Sequence, residues 1–192
     1  RGCEECNYTG KQYQESVEEY IISIPVEKFE AEDGVLHGAG REDIDARMLG
    51  TGRPFVAEIK NPHLRSFNLR ELQKLINKQA QDKVEVRNLR WSSKEEVVYL
   101  KEHAPDAVKE YSAKIRFDSP ISNEKLSDIE EQFQNVILDQ QTPSRVVHRR
   151  ADIVRKKEVY SITCERLSED TIVAQIKCDG GCYVKELISG DN

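Results

Sequence analysis

The sequence lacks any run approaching the ~18 consecutive apolar residues of a membrane-spanning helix, which excludes that class. Its first segment, residues 1–14, is polar, so no secretory signal is expected there. Cysteine is sparse and odd in number: Cys3, Cys6, Cys164, Cys178 and Cys182. That is not the even, regular pattern of a secreted disulfide scaffold, and a reducing cytoplasm fits it best. Internal repeats and low-complexity runs are absent. Excess positive charge is lacking too, since 29 Lys and Arg face 35 Asp and Glu for a net charge of −6. A chain-wide basic footprint for nucleic acid is therefore missing. Residue 1 is Arg rather than Met, and the last residues are Ser189-Gly190-Asp191-Asn192, so a piece of a longer protein is expected.

What is present suits a globular chain. Of 192 residues, 38% are hydrophobic and 33% charged, and a chain of this length buries about 70% of its unfolded surface. Charge is patterned locally. Residues 145–157 hold six cations (Arg145, Arg149, Arg150, Arg155, Lys156, Lys157) and His148 against one acid, Asp152. Ser16-Val17-Glu18-Glu19 has capping-box spacing and opens a short helix through Ile22. Residues 34–41 hold three glycines and read as a strand end or tight loop. Residues 54–60 read as a strand with Phe55, Ala57 and Ile59 on one face. Asn68 caps a helix whose stripe is Leu69, Leu72, Leu75 and Ile76. Residues 83–91 alternate imperfectly and read as a strand, and Ser93 caps a helix to about His103. Residues 109–117 form a strand, 123–133 a helix, and 140–143 a loop. Residues 153–167 and 171–178 are strands joined by a polar turn. After the turn Asp179-Gly180-Gly181 comes the segment 183–188. This order predicts an α+β fold with a mixed, largely antiparallel sheet and flanking helices. Residues 1–15 read as a linker or partial upstream segment, and 16–192 as the main domain.

Four places offer chemistry, each with an ordinary alternative. Gly38-Ala39-Gly40-Arg41-Glu42-Asp43-Ile44-Asp45 puts an Arg and acids directly after glycines that let backbone approach a ligand. It reads equally as a solvated turn with a local ion pair. Asp43 and Asp45 face opposite sides of an extended strand. A glycosidase would need both in one groove, ~5–10 Å apart. Tyr111 sits at a strand position, where a ring is usually core, although an RNA enzyme needs such a ring to stack on an unstacked base. Arg145, His148, Arg149 and Arg150 form either a solvated face or a phosphate contact suited to the planar guanidinium fork. Lys185, after Gly180-Gly181, is either a surface lysine or a cation that keeps a carboxylate ionised. Cys3 and Cys6 are half of the four ligands zinc requires. Any zinc site would need residues upstream of Arg1. Cys178 and Cys182 read as small hydrophobes.

Three of these places resemble, in order, the signatures of the archaeal and eukaryotic tRNA pseudouridine synthases of the Pus-ten family. They are residues 38–55 (Gly38-Ala39-Gly40-Arg41-Glu42-Asp43 through Arg53-Pro54-Phe55), residues 142–152 (Thr142-Pro143-Ser144-Arg145-Val146-Val147-His148-Arg149-Arg150-Ala151-Asp152) and residues 181–191 (Gly181-Cys182-Tyr183-Val184-Lys185-Glu186-Leu187 onward). The resemblance runs from about Ser16 to Asn192. It implies the catalytic fold of that family and an Asp nucleophile, Asp43, in the G-R-x-D motif. It implies Tyr111 as the ring that stacks on uracil, Lys185 of the Y-x-K motif as the partner of the Asp, and Leu187 as a pocket wall. Arg41 is a second cation near the Asp, and residues 145–150 a tRNA contact. The implied activity is isomerisation of uridine in the TΨC arm, at position 55 and, in many archaeal members, 54. No cofactor is required, and tRNA is the partner. The family also carries an upstream RNA-binding domain that this sequence lacks. Alternatives are action on a different RNA, or a non-catalytic RNA-binding module.

Overall fold

The computed structural model describes residues 15–40, 46–103, 107–147 and 150–190. The chain divides into two compact units, Arg1–Glu102 and His103–Asn192. The architecture is α+β, as expected, and every strand pairing among the described residues is antiparallel.

The first unit contains α1 (Val17–Lys28), β1 (Asp33–Gly38), β2 (Phe55–Lys60), α2 (Leu69–Ala80) and α3 (Lys94–His103), the last reaching the unit boundary. The capping box forms as its spacing predicts: Ser16 N–H donates to Glu19 Oε2 at 2.9 Å, and Glu19 N–H to Ser16 Oγ at 3.3 Å. The helix does not stop at Ile22 but continues through Pro25 to Lys28. Proline disfavours a helix interior, yet Ile21, Ile22 and Pro25 are all buried, and this packing carries the helix onward. β1 pairs with β2 from Asp33–Lys60 to Gly38–Phe55. Gly34 lets α1 sit on this ribbon, because a Cβ there would lie 2.6 Å from Ile22 Cγ2. Ile21, Phe29, Leu72, Ile76 and Val86 form the core.

Residues 83–91 are not a strand. The Asn77 side chain takes both backbone groups of Val86, accepting from its N–H at 2.8 Å and donating to its C=O at 2.9 Å. Gln73 Oε1 accepts from Leu89 N–H. Two amides on α2 thus satisfy a segment that the alternation of Val84 and Val86 assigned to a sheet.

The second unit contains β3 (Lys109–Arg116), α4 (Asn123–Gln132), β4 (Val136–Gln141), α5 (Ser144–Val147), β5 (Val154–Arg166), β6 (Thr171–Cys178) and α6 (Val184–Ser189). The sheet order is β3-β6-β5-β4. β6 alternates cleanly: Ile172, Ala174, Ile176 and Cys178 are buried, with Val173, Gln175 and Lys177 between them. Each buried isoleucine contributes about 1.5–3 kcal/mol by leaving water. Val159 and Ile162 of β5 and Leu126 of α4 complete the core. β4 starts before the expected loop and takes in Gln140 and Gln141. Its inward positions are Val136, Leu138 and Gln140, and the polar third member hides the period-two signal. The segment after the glycine turn is helical from Val184, and Cys182 N–H donates to Asp179 O at 3.2 Å, closing the turn before it. Cys178 and Cys182 are buried, as small hydrophobes would be.

Candidate active site

The first signature hangs between paired strand ends. Gly38 stands opposite Phe55, and Ala39 N–H donates to Pro54 O at 3.1 Å beyond the last strand pair. Ala39 is buried. Gly40 then turns at φ +97° with open space beside it, so the backbone conformation rather than crowding asks for glycine here. Arg41, Asp43 and Asp45 follow and lie outside the described residues, as do Cys3, Cys6, His148 and Arg149. His37 Nε2, on β1, lies 2.8 Å from Glu58 Oε2 on β2. This contact holds the Glu58 carboxyl below its ordinary value.

The second unit gathers other candidates on one core. Tyr111 is half-buried on β3, in register with Ile176 of β6. It packs on the same cluster as Val184 and Leu187 of α6. Lys185 lies between those two in sequence and is exposed. Tyr183 is buried, and its hydroxyl has no hydrogen-bond partner among the described residues.

Gln140, Lys157 and Asp179 hold this segment in place, and of these only Lys157 belongs to the basic stretch evident in the sequence. Gln140 is buried, accepts from Tyr183 N–H at 2.9 Å and donates to Tyr183 O at 3.2 Å. Lys157 Nζ donates to Gly180 O at 2.6 Å. Asp179 accepts from Glu158 N–H at 3.0 Å and from the Tyr160 hydroxyl at 2.8 Å. No spacing rule connects residue 140 to 183, so only the fold discloses the clamp. Gln140→Leu leaves the Tyr183 N–H unpaired in a buried place, while the Tyr183 C=O keeps its bond from Leu187 N–H at 2.9 Å. We expect it to cost about 1–3 kcal/mol in a urea titration.

The second signature is rooted by Thr142, which is buried. Its hydroxyl donates to Ala151 O at 2.8 Å and accepts from Arg155 at 2.6 Å. Gln141 also bonds Asp152 across the loop. Arg150 is exposed. Arg145 reaches the third signature: its Nε donates to Glu186 Oε1 at 2.6 Å and its second guanidinium nitrogen to Oε2 at 2.9 Å. The Arg145 hydrogen bonds hold the Glu186 carboxyl below 4.5, against the opposing effect of burial. A depressed folded-state value means stability that is full above the unfolded value and is lost as pH falls through the folded one. The difference in Tm between the protein and Glu186→Gln is therefore expected to be widest above about pH 4.5 and to close on acidification.

Among the described residues, no helix is long and apolar enough to cross a membrane. None of them forms a group of three or more His, Cys, Asp or Glu that could hold a metal.

Fold and site define an α+β protein in which a Tyr-x-Lys segment is clamped to an antiparallel sheet and tied to a basic loop. Residues 3–192 match the family Pus10, C-terminal, and the chain belongs to it. It is 48% identical over 191 residues to the tRNA pseudouridine synthase Pus10 of Methanothrix thermoacetophila, covering 42% of that protein. With the protein of the same name from Korarchaeum cryptofilum it shares 46% over 192 residues, covering 51%. With that of Archaeoglobus fulgidus it shares 45% over 191 residues, covering 52%. Each comparison takes in 100% of this chain. The chain thus spans about half the length of these relatives. A solved chain of a Cbf5-Nop10-Gar1 complex is similar at a TM-score of 0.48 and 15% identity, over 86% of this chain and 37% of that one.

Proposed function

We propose that this chain is the catalytic part of a tRNA pseudouridine synthase acting in the TΨC arm, at position 55, alone or together with 54. The observation that carries the reading is identity of 45–48% along the whole chain to relatives named tRNA pseudouridine synthase, and the position in the TΨC arm is what the motif resemblance implies. The reaction breaks the C1′–N1 glycosidic bond, turns the base and forms C1′–C5. The C5 proton is released and N1 gains one, so there is no net redox change and no cofactor is called for. Asp43 acts on the sugar, either by attacking C1′ or by taking the 2′ proton. Arg41 and Lys185 favour its ionised form. Taking the uridine out of its stack costs a few kcal/mol. Stacking on Tyr111, worth about 1–3 kcal/mol, offsets part of that. Leu187 lines the apolar side, and His148, Arg149 and Arg150 supply phosphate contacts, while Arg145 is bonded to Glu186.

The half-buried placement of Tyr111 supports its role, because a ring anchored on a sheet core loses little freedom when a base stacks on it. The test is pseudouridine mapping in an unmodified tRNA transcript incubated with the full-length protein, with U54 and U55 replaced singly. Product at 55, or at 54 and 55, is expected. Product only in other RNAs would overturn the substrate. RNA binding without product in any RNA would leave a binding module.

A further inference from the structure

We propose that Glu186 is a positioning residue, which through its pair with Arg145 couples the basic loop to the helix bearing Lys185. The inference rests on the reading of Lys185 as an active-site cation. Helix α6 has six residues, too few to hold itself by its own hydrogen bonds. Its orientation therefore comes from tertiary ties. Gln140 fixes the entry at Tyr183, and Val184 and Leu187 rest on the core. The third tie is Glu186, which alone of these reaches the basic segment, 41 residues earlier in the chain.

The geometry separates this pair from ordinary surface ion pairs. Both guanidinium–carboxylate bonds are short, at 2.6 and 2.9 Å. The Glu186 side chain is 11% exposed and that of Arg145 35%, whereas Lys156–Asp139 stands at 76% and 60%. A shielded, two-pronged pair fixes direction as well as distance, while exposed pairs contribute little. Successive helix residues point about 100° apart, so holding Glu186 toward α5 sets the angle at which Lys185 leaves the helix. Any RNA contact that pulls on the basic loop is transmitted to the lysine through this pair. Arg145 then serves as a link between RNA-binding and catalytic segments, with its fork directed to a carboxylate.

The experiment uses the full-length protein with Glu186→Gln, Arg145→Gln and the double variant. At saturating tRNA, each single change is expected to lower kcat by about 10²-fold, the usual consequence of a small misplacement, with tRNA KM nearly unchanged. The double variant is expected to be no worse than either single one, because both break the same link. Acylation of the Lys185 amine, read by mass spectrometry, gives a measure that needs no turnover. Addition of tRNA is expected to change its labelling in the unaltered protein but not in Glu186→Gln. Additive losses, or a raised KM with unchanged kcat in Arg145→Gln, would overturn the link and make Arg145 a plain RNA contact. Equal tRNA-dependent labelling in both proteins would overturn it as well. An inactive unaltered protein would instead defeat the functional reading, and the labelling result would still decide the link.

Discussion

Asp43→Asn is expected to lower pseudouridine formation at least about 10³-fold, as loss of a nucleophile does, while the affinity for tRNA stays close to that of the unaltered protein. Asparagine keeps the shape of the carboxylate but exchanges one acceptor oxygen for an NH2 donor. It carries no negative charge, so it can neither attack C1′ nor take the 2′ proton efficiently. The surrounding ribbon does not depend on the charge, since β1 and β2 are joined by backbone pairs up to Gly38–Phe55 and by the Ala39–Pro54 bond. The measurements are single-turnover product formation and tRNA binding on the same preparation. Product at the unaltered rate would remove Asp43 from the chemistry. A loss of rate that follows a loss of binding would make it a contact residue.

Ile176→Ala is expected to destabilise the protein by about 2–5 kcal/mol, the range for removing a large aliphatic chain from a core that relaxes only partly. Ile176 is 2% exposed and stands on the interior strand β6, between Tyr111 of β3 and Ile162 of β5. Truncation removes packing on both sides of it. Ile176→Val is the graded control, expected at about 0.5–1.5 kcal/mol. Urea denaturation reads both. The alanine variant is also expected to weaken base stacking at Tyr111, because the ring loses the chain it rests on, so KM rises under conditions where the variant is still folded. A cost below about 1 kcal/mol would mean that this position collapses without a cavity, contrary to its burial.

Much of the fold was legible in local pattern. The capping box at Ser16–Glu19, the Asn68 cap and the alternation of residues 171–178 are short-range signals, and each element lies where they put it. The failures have one cause. Helix α1 runs past Ile22 because burial of Pro25 outweighs its local preference. Residues 83–91 are not a strand because Asn77 and Gln73 supply the backbone partners that a neighbouring strand would. β4 carries no clean period-two signal because Gln140 occupies an inward position, where its amide meets Tyr183. In all three places packing or a side-chain partner outside the local pattern replaced the local rule.

The α+β class, the order of most elements and the three signature segments that mark the family are legible in consecutive residues, because periodicity, caps and motifs are local. What holds those segments together comes from the folded chain. That Gln140 clamps Tyr183, that Thr142 roots the basic loop and that Arg145 meets Glu186 are consequences of the fold, which sets residues 9 to 43 positions apart side by side. A buried amide or a shielded ion pair is stable only where a partner stands within about 3 Å, and which partner stands there is a property of the folded chain.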